Sequence, residues 1–296
     1  MLAVVSGPRR VSVQGRRAEY LDVGDGLSVL FLHGWGLGVR AYRAVHDELL
    51  AQGLRVVAPA LPGFGATAAL PRTDISFAGY ADWAAELAAA VGVEQAVVVG
   101  HSFGGGVATA LAHRHPELVR ALVLVNAIGG STWRAGDDGD RPLHERPLWD
   151  WGRHLPADVL PLRRFGRVLP ALLREAVPNV IRRPGSLWRV GTLARHADLT
   201  VELGALRDRG LPVVAVWGRH DRVIPEAAFR DICAALGSEG QVVEGSHSWL
   251  LADPAGFAEV ISNVVARSEP ATAPPPGGLV RRWFARRRVD RPPLAA

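Results

Sequence analysis

Cysteine and lysine are scarce or missing in this chain of 296 residues, in which Cys233 is the one cysteine and every basic residue is an arginine. A single cysteine excludes an intramolecular disulfide, and it is too few for a zinc site built from thiolates. We expect Cys233 to be a small apolar residue in the buried stripe of a helix over 225–236. The lack of lysine indicates no functional class.

Long apolar runs are also missing. No stretch reaches the ~18 apolar residues that a membrane-spanning helix requires. At the N-terminus a very short apolar run precedes the first arginines, whereas a secretory signal peptide has the reverse order. The sequence therefore predicts a soluble, cytoplasmic protein, and its 48% of apolar residues are enough for a large buried core.

The excess of positive charge is confined to the C-terminal tail. Residues 277–296 hold six arginines and one acid, and without them the chain has 28 basic and 28 acidic residues. Because the body is neutral, we do not expect it to bind nucleic acid. Within the tail, residues 279–288 (LVRRWFARRR) place apolar side chains near one helical face among arginines, which is typical of peripheral contact with an anionic membrane. A basic tail without a partner is the alternative interpretation.

Short β-branched runs alternate with longer helical patterns along most of the chain. This alternation predicts the α/β class, with a mostly parallel sheet flanked by helices. The predicted strands form a hairpin over 10–22 with its turn at Gly15, followed by 27–32, 55–58, 96–99, 121–125, 212–217 and a strand near 240–244. The predicted helices cover 39–52, 77–91, 102–115 and 225–236, and a last helix starts at Asp253.

This regular alternation stops after the sixth strand. Residues 128–205 are rich in Arg, Trp, Pro and Gly and contain no clear βα unit. Helical patterns in this stretch are limited to 157–177 and 186–206. We interpret 128–205 as a helical cap, or lid, inserted after the sixth strand into a core formed by 1–127 and 206–268. Residues 269–296 are a Pro-rich linker and the basic tail.

The sequence Gly100-His101-Ser102-Phe103-Gly104 lies between a predicted strand and a predicted helix. In that context Gly-x-Ser-x-Gly predicts a nucleophile elbow, a strained turn that raises the serine hydroxyl above the sheet. The glycines let the strand and the helix pass closely, and the helix N-terminus offers amide N–H groups to a reacting carbonyl. Ser102 is therefore the candidate nucleophile, and a serine that only caps the helix is the alternative.

A second glycine-rich turn, His33-Gly34-Trp35-Gly36, follows the strand predicted over 27–32. An oxyanion hole needs two amide donors at the carboxyl edge of the sheet, and we assign them to Trp35 and Phe103. The alternative is a tight turn with His33 packed below the site. His33 precedes Ser102 in the chain, and we expect it to fix the loop rather than to act as the base.

Two further polar residues follow the last two predicted strands. Asp221 comes just after strand 212–217, where a carboxylate can orient an imidazole, and His247 lies in a loop after the last strand. The chain order Ser, Asp, His favours Asp221 as the acid and His247 as the base over the other nine histidines. The alternative for Asp221 is an N-cap of helix 225–236, and its neighbour His220 points elsewhere.

With these pieces in order, residues 10–268 resemble the α/β-hydrolase superfamily in its capped, serine-nucleophile, esterase- or lipase-like form. Many members have an aspartate where this chain has Ala60, a departure outside the triad. Some relatives carry the acid of the triad at the position of Asn126. Because an amide cannot act as that carboxylate, the assignment of Asp221 is strengthened. Epoxide hydrolases and haloalkane dehalogenases of this fold use aspartate at the elbow, so Ser102 implies acyl transfer instead.

The resemblance implies hydrolysis of a small or medium apolar carboxylic ester through an acyl-enzyme, with no metal or organic cofactor. The candidate substrate-binding residues are Trp133, Trp149, Trp151 and Trp249. The alternative for any of the cap tryptophans is a place in the cap's own small core. Members of the fold also include C–C bond hydrolases and cofactor-free perhydrolases. The position of Trp249, two residues after His247, resembles the C–C bond hydrolases. A ligand-binding receptor or scaffold with slow turnover is the alternative from another class.

Overall fold

The protein is described by a computed structural model. It describes residues 7–131, 143–145, 173 and 175–268, to which all structural statements below refer. Three of the predicted substrate-binding residues, Trp133, Trp149 and Trp151, lie outside the described residues, as does the tail 277–296.

A single eight-stranded sheet forms the centre of the described chain, in the order β1-β2-β4-β3-β5-β6-β7-β8. The strands are β1 (Arg9–Val13), β2 (Arg16–Val23), β3 (Ser28–Leu32), β4 (Arg55–Pro59), β5 (Ala96–His101), β6 (Val119–Val125), β7 (Val213–Gly218) and β8 (Gln241–Val243). The pairs β1–β2 and β2–β4 are antiparallel, and the pairs from β4 to β8 are parallel. The mostly parallel sheet predicted from the sequence is confirmed.

Helices cover both faces of this sheet. They are α1 (Arg43–Ala51), α2 (Phe77–Ala90), α3 (Phe103–Arg114), α4 (Pro184–Arg195), α5 (Thr200–Asp208), α6 (Glu226–Leu236), α7 (Trp249–Ala252) and α8 (Pro254–Ser268). Residues 175–182 are also helical, and short 3₁₀ turns cover Val39–Tyr42, Arg72–Asp74 and Leu143–Glu145. No helix in the described part of the chain combines the length and the apolar character needed to cross a membrane.

The strands are apolar on both sides because the sheet is buried on both sides. In β3, Leu30 and Leu32 join the core beneath α2, α3 and α6, whereas Val29 and Phe31 join the core beneath α1 and α8. Alternate residues of one strand therefore supply two separate cores. Since β3 to β8 run parallel, their carboxyl ends meet at one edge of the sheet, and loops that follow them can form a common site.

Two predicted elements differ from the structure in an informative way. The helix predicted over 39–52 is a 3₁₀ turn that continues into α1. The helical stretch predicted over 186–206 is interrupted between α4 and α5, where the Leu199 amide donates to the Gly129 carbonyl oxygen at 2.9 Å. There the side chain of Asp198 accepts from the amide and hydroxyl of Thr200, which satisfies the start of the new helix. This contact links the end of the insertion to the loop after β6.

Candidate active site

Ser102 occupies the turn between β5 and α3 with φ 54° and ψ −118°, a left-handed backbone conformation that non-glycine residues rarely adopt. A Cβ atom on Gly104 would overlap the carbonyl oxygen of Leu32, and one on Gly100 would overlap the backbone of Gly104. The motif's two glycines are therefore required by close backbone approach on either side of the serine. The turn is held by the Ser102 amide, which donates to the Val125 carbonyl oxygen at 3.0 Å.

The structure brings the three predicted residues of the candidate triad together. The His247 Nε2 atom lies 3.0 Å from Ser102 Oγ, and His247 Nδ1 lies 2.8 Å from Asp221 Oδ2. Because the carboxylate oxygen can only accept, Nδ1 carries the proton and Nε2 accepts from the serine hydroxyl. All three side chains are nearly buried, so these hydrogen bonds are shielded from competing water.

Asp221 is held by donors on both carboxylate oxygens. Its Oδ1 accepts from the amides of Val223 and Ile224 at 2.7 and 2.9 Å, which makes it the cap of the turn that precedes α6. Its Oδ2 accepts from Asn126 Nδ2 at 2.6 Å as well as from His247. Asp221 therefore caps the turn over 221–224, but it is not the N-cap of α6 that the sequence left as its alternative, because that position is Pro225.

Trp249 is a correction to the sequence analysis, which placed it among the substrate-binding residues. Its side chain is buried in the core beneath α1 and α8, with its ring centroid 6.1 Å from that of Phe257. Its Nε1 atom donates to Asn126 Oδ1 at 2.8 Å. Trp249 thus contacts the partner of Asp221 instead of lining the space above Ser102, because α7 turns the residue inward immediately after the His247 loop.

A second hydrogen-bonded chain runs below the candidate triad and was not predicted. His101 Nε2 lies 3.0 Å from the backbone oxygen of His247, and His101 Nδ1 lies 2.7 Å from the hydroxyl of Tyr42. Because the His247 oxygen only accepts, His101 Nε2 must donate and Nδ1 must accept from Tyr42, whose oxygen in turn accepts from the Gly34 amide at 3.0 Å. Burial, with the neighbouring His247 as a smaller cause, lowers the pKa of His101 to about 3, so the ring stays neutral.

The loop that carries Trp35 lies against the elbow. A Cβ atom on Gly34 would stand 3.3 Å from Ser102 Cβ, so the backbone of this loop is in contact range of the candidate nucleophile. Phe103 is the first residue of α3 and follows Ser102 directly. Phe103 is therefore the direct neighbour of Ser102 in the chain, and Trp35 follows the loop residue, Gly34, that lies beside Ser102. His33 supports the loop: its Nε2 accepts from the Leu61 amide at 2.9 Å, and its Nδ1 donates to the Gly34 oxygen at 2.8 Å.

Burial lowers the pKa of His33 to about 4. A neutral ring is what its two contacts require, because Nε2 must keep a free lone pair to accept from the Leu61 amide. The position and the charge state both agree with the predicted role of His33 as a fixed support of the loop.

Described residues of the stretch predicted as a cap also hold this loop, and the sequence analysis missed them. Asn179 Nδ2 donates to the Gly36 oxygen at 3.0 Å, and Asn179 Oδ1 accepts from the Gly65 amide at 3.1 Å. Glu175, one turn earlier, accepts from the Arg40 amide at 3.2 Å, and burial raises the pKa of its carboxyl. The indole of Trp35 donates to the Leu187 oxygen of α4 at 2.9 Å. A single sequence offers no signal for these long-range contacts.

With the geometry established, comparison with known proteins identifies the family. The model of the alpha/beta hydrolase fold matches residues 28–254, which is most of the chain and includes Ser102, Asp221 and His247. The chain belongs to the α/β-hydrolase family. Its general activity class is hydrolase, which both the family and the names of its relatives support.

Relatives of this α/β-hydrolase carry names for different reactions. It is 37% identical to a 2-hydroxymuconate semialdehyde hydrolase of Pseudomonas putida, over 88% of this chain and 95% of that protein. It is 29% identical to a pimeloyl-[acyl-carrier protein] methyl ester esterase of Aeromonas hydrophila, over 82% and 96%. Among solved structures, the enol-lactonase from Burkholderia xenovorans LB400 superposes with a TM-score of 0.71 at 17% identity, over 87% and 100%. At that identity the last likeness shows the fold alone.

Proposed function

We propose that this α/β-hydrolase is a serine esterase that cleaves a small or medium apolar carboxylic ester through an acyl-enzyme. The observation that carries the proposal is the buried, continuous hydrogen-bonded chain from Ser102 through His247 to Asp221. An activated serine needs a base within hydrogen-bonding distance, and the base needs a partner that fixes its tautomer. Both requirements are met at 3.0 and 2.8 Å.

In the first half of the reaction, Ser102 Oγ attacks the ester carbonyl while its proton moves to His247 Nε2. The imidazolium that forms is stabilised by Asp221 Oδ2 across the short Nδ1 contact. The carbonyl oxygen gains negative charge, and the amide N–H groups of Trp35 and Phe103 stabilise it by donating hydrogen bonds. The proton on His247 then passes to the leaving alcohol, and the acyl group stays on Ser102.

In the second half, His247 takes a proton from water, and the hydroxide that forms attacks the acyl carbonyl. Collapse of the second tetrahedral intermediate breaks the bond to Ser102 Oγ, which regains its proton from His247. The carboxylic acid leaves and the starting state is restored. Every proton transfer runs through one nitrogen atom, Nε2, so the fixed ring orientation of His247 serves both halves.

A C–C bond hydrolase is the second candidate, because a relative that is 37% identical bears the name of such an enzyme. The sequence feature that favoured this chemistry was Trp249, whose side chain packs in the core beneath α1 and α8 and donates to Asn126. We therefore place ester hydrolysis first. The cytoplasmic location and the membrane contact of the tail stay predictions from the sequence.

The test is hydrolysis of p-nitrophenyl esters from C2 to C16 by the full chain and by Ser102→Ala, next to a 2-hydroxy-6-oxo dienoate as the C–C substrate. We expect ester turnover that falls by on the order of 10³-fold or more in the variant. Reaction of the wild type, but not of Ser102→Ala, with a fluorophosphonate is a second readout. Equal ester turnover by both proteins contradicts the role of Ser102. Faster turnover of the dienoate than of every ester favours the second candidate.

A wild type that hydrolyses neither substrate, and whose Ser102 does not react with the fluorophosphonate, supports the slow-turnover receptor. The fluorophosphonate matters here because it needs an activated serine but no match to the acyl pocket. It therefore separates an inactive site from a site that was offered the wrong ester.

A further inference from the structure

Two buried polar side chains below the candidate triad, Tyr42 and His101, take no part in the proton transfers of the proposed reaction. Both are almost completely removed from solvent. Burial of a hydroxyl and an imidazole costs free energy unless their polar atoms are paired. In this protein each of these atoms has a partner, and the partners belong to different parts of the candidate site.

The two residues join three separate segments of backbone. The Tyr42 hydroxyl accepts from the amide of Gly34, in the loop of the candidate oxyanion donor, at 3.0 Å. His101 directly precedes Ser102, and its Nε2 donates to the backbone oxygen of His247 at 3.0 Å. The contact of 2.7 Å between the Tyr42 hydroxyl and His101 Nδ1 completes the chain. One continuous run of hydrogen bonds therefore connects the oxyanion loop, the elbow and the loop of the base.

The direction of each hydrogen bond in this chain is fixed by its two ends. The His247 backbone oxygen can only accept, and the Gly34 amide can only donate. His101 must therefore carry its proton on Nε2, and the Tyr42 hydroxyl donates to Nδ1. A proton on both ring nitrogens would leave the Tyr42 hydroxyl without its acceptor, and burial already lowers the pKa of His101 to about 3. The chain thus has a single arrangement of protons.

The ring of His101 also lies close to the candidate base. Its centroid is 5.0 Å from that of the His247 ring. His247 must accept a proton from Ser102, and a positive charge on His101 at this distance would oppose the transfer. A neutral His101 with a fixed tautomer can hold the backbone of the base without this repulsion.

We propose that Tyr42 and His101 are positioning residues, which fix the oxyanion loop and the His247 loop relative to Ser102. They act through the backbone of Gly34 and of His247. The inference rests on the proposed nucleophilic role of Ser102, but not on the choice of an ester as substrate. Because aligned donors and an aligned base matter most in the transition state, loss of the chain lowers the rate of attack by Ser102 more than it weakens substrate binding.

The test measures the rate at which a fluorophosphonate labels Ser102 in the full chain, because this reagent needs no match to the acyl pocket. Tyr42→Phe removes the hydroxyl from the middle of the chain and keeps the ring. Tyr80→Phe is the matched control, since Tyr80 is equally buried and its hydroxyl donates to the Pro62 oxygen at 3.0 Å, outside the chain. We expect the second-order rate constant to fall about 10- to 100-fold in Tyr42→Phe and to stay within about twofold of wild type in Tyr80→Phe.

Two further measurements separate a positioning role from a structural one. Long-range ¹H–¹⁵N spectra should show wild-type His101 with its proton on Nε2, and a mixture of tautomers in Tyr42→Phe, where Nδ1 has lost its donor. His101→Asn identifies the His101 signals by their loss, and it removes the donor to the His247 oxygen. The double variant should label about as slowly as His101→Asn alone, because both substitutions break the same chain.

Three results overturn the proposal. Equal labelling rates in Tyr42→Phe and Tyr80→Phe, with both variants folded by circular dichroism, show that the chain does not position Ser102. Losses that multiply in the double variant show that Tyr42 and His101 act independently. A wild-type His101 with its proton on Nδ1 contradicts the chain itself.

The same experiment distinguishes these failures from a failure of the proposed function. A wild type that is labelled but hydrolyses no p-nitrophenyl ester contradicts the ester substrate alone, and the labelling rates still decide the roles of Tyr42 and His101. A wild type that is not labelled contradicts the activated Ser102, and the positioning roles are then overturned with it.

Discussion

Asn126 Nδ2 lies 2.6 Å from Asp221 Oδ2, the same oxygen that His247 Nδ1 contacts at 2.8 Å. The orientation of the Asn126 amide is settled by Trp249, because an indole N–H can only donate and it meets Asn126 Oδ1 at 2.8 Å. Asn126 must therefore present its NH₂ group to the carboxylate. Asn126, which the sequence analysis used only to exclude a second acid, is a direct partner of the candidate acid Asp221.

Removal of this donor should alter the pH dependence of activity. In Asn126→Ala, Asp221 loses one donor and attracts the His247 imidazolium more strongly. The imidazole should then stay protonated to higher pH, so the acid limb of kcat/KM moves upward while kcat/KM falls about tenfold. Trp249→Phe should move the limb in the same direction by less, because the amide remains but its orientation is no longer fixed.

Trp83→Phe is the matched control, since Trp83 is buried on α2 in the other core. We expect it to keep the wild-type pH profile. If Asn126 had only a structural role, its loss would lower kcat/KM by the same factor at every pH and would not move the acid limb. An unchanged limb in Asn126→Ala, with the protein folded, contradicts the positioning role.

Gly104 should not tolerate a methyl group. A Cβ atom there would overlap the Leu32 carbonyl oxygen and lie 2.7 Å from that of His33, and both are backbone atoms that cannot step aside. Gly104→Ala should lower the free energy of unfolding by about 3 kcal/mol or more and abolish ester turnover. Gly204→Ala, in the middle of α5, is the control. A Cβ atom built on Gly204 would meet no neighbouring atom within 4 Å, so alanine should stabilise the helix by about 1 kcal/mol. Urea unfolding measures the free energy of unfolding of both variants. Equal values for Gly104→Ala and Gly204→Ala would show that the backbone around Ser102 can relax.

The sequence predicts most of the sheet and the candidate triad because both have local signals. The apolar runs at β3 and β5 are long enough to identify buried strands, and the elbow at Ser102 is defined by glycines two residues away. Asp221 and His247 follow strands in the family's order. Asn179 and Glu175 have no such signal, because their partners are more than 110 residues away in the chain.

Trp249 shows a different limit of sequence reasoning. Its distance of two residues from His247 could be read directly, but the short helix α7 could not. That helix sends the side chain into the core rather than toward Ser102. The sequence spacing therefore predicted that Trp249 lies near His247, but it could not predict the direction in which the Trp249 side chain points.

His46 should contribute to acid unfolding. It is fully buried on α1 with its ring 5.3 Å from that of Phe31, and neither ring nitrogen has a hydrogen-bond partner in the described part of the chain. Burial lowers the pKa of His46 to about 3. Between pH 6.5 and 3 the unfolded chain therefore binds a proton that the folded chain rejects, and stability falls as pH falls.

The slope from this one residue is about 1.4 kcal/mol per pH unit well below pH 6.5. His46→Leu should remove that contribution, so its free energy of unfolding should fall less steeply than that of the wild type between pH 6 and 4. His113→Leu, at an exposed position of α3, is the matched control. Urea titrations at half-unit pH steps make the comparison. Parallel slopes for wild type and His46→Leu would show that His46 acquires a partner in solution.

Asn179 should influence catalysis although it does not touch Ser102. Its amide bridges the Gly36 oxygen and the Gly65 amide, and it is 5% exposed. In Asn179→Asp the acceptor to Gly65 remains, but the donor to Gly36 is replaced by an oxygen that repels the carbonyl. The loop that carries Trp35 should then lose its fixed position beside Ser102. Because the oxyanion forms only in the transition state, we expect kcat to fall about 10- to 100-fold with little change in KM.

Asn263→Asp introduces the same charge at an exposed position of α8 and should leave kcat unchanged. Hydrogen exchange of residues 33–38 adds a readout that does not need a substrate: protection should fall in Asn179→Asp and not in Asn263→Asp. The conservative variant Asn179→Gln keeps a donor and should recover part of the rate if the amide acts by position. A rise in KM alone, with unchanged exchange, would instead mean that Asn179 shapes substrate binding. The loop would then keep its position beside Ser102 through Tyr42 and His33, without help from Asn179.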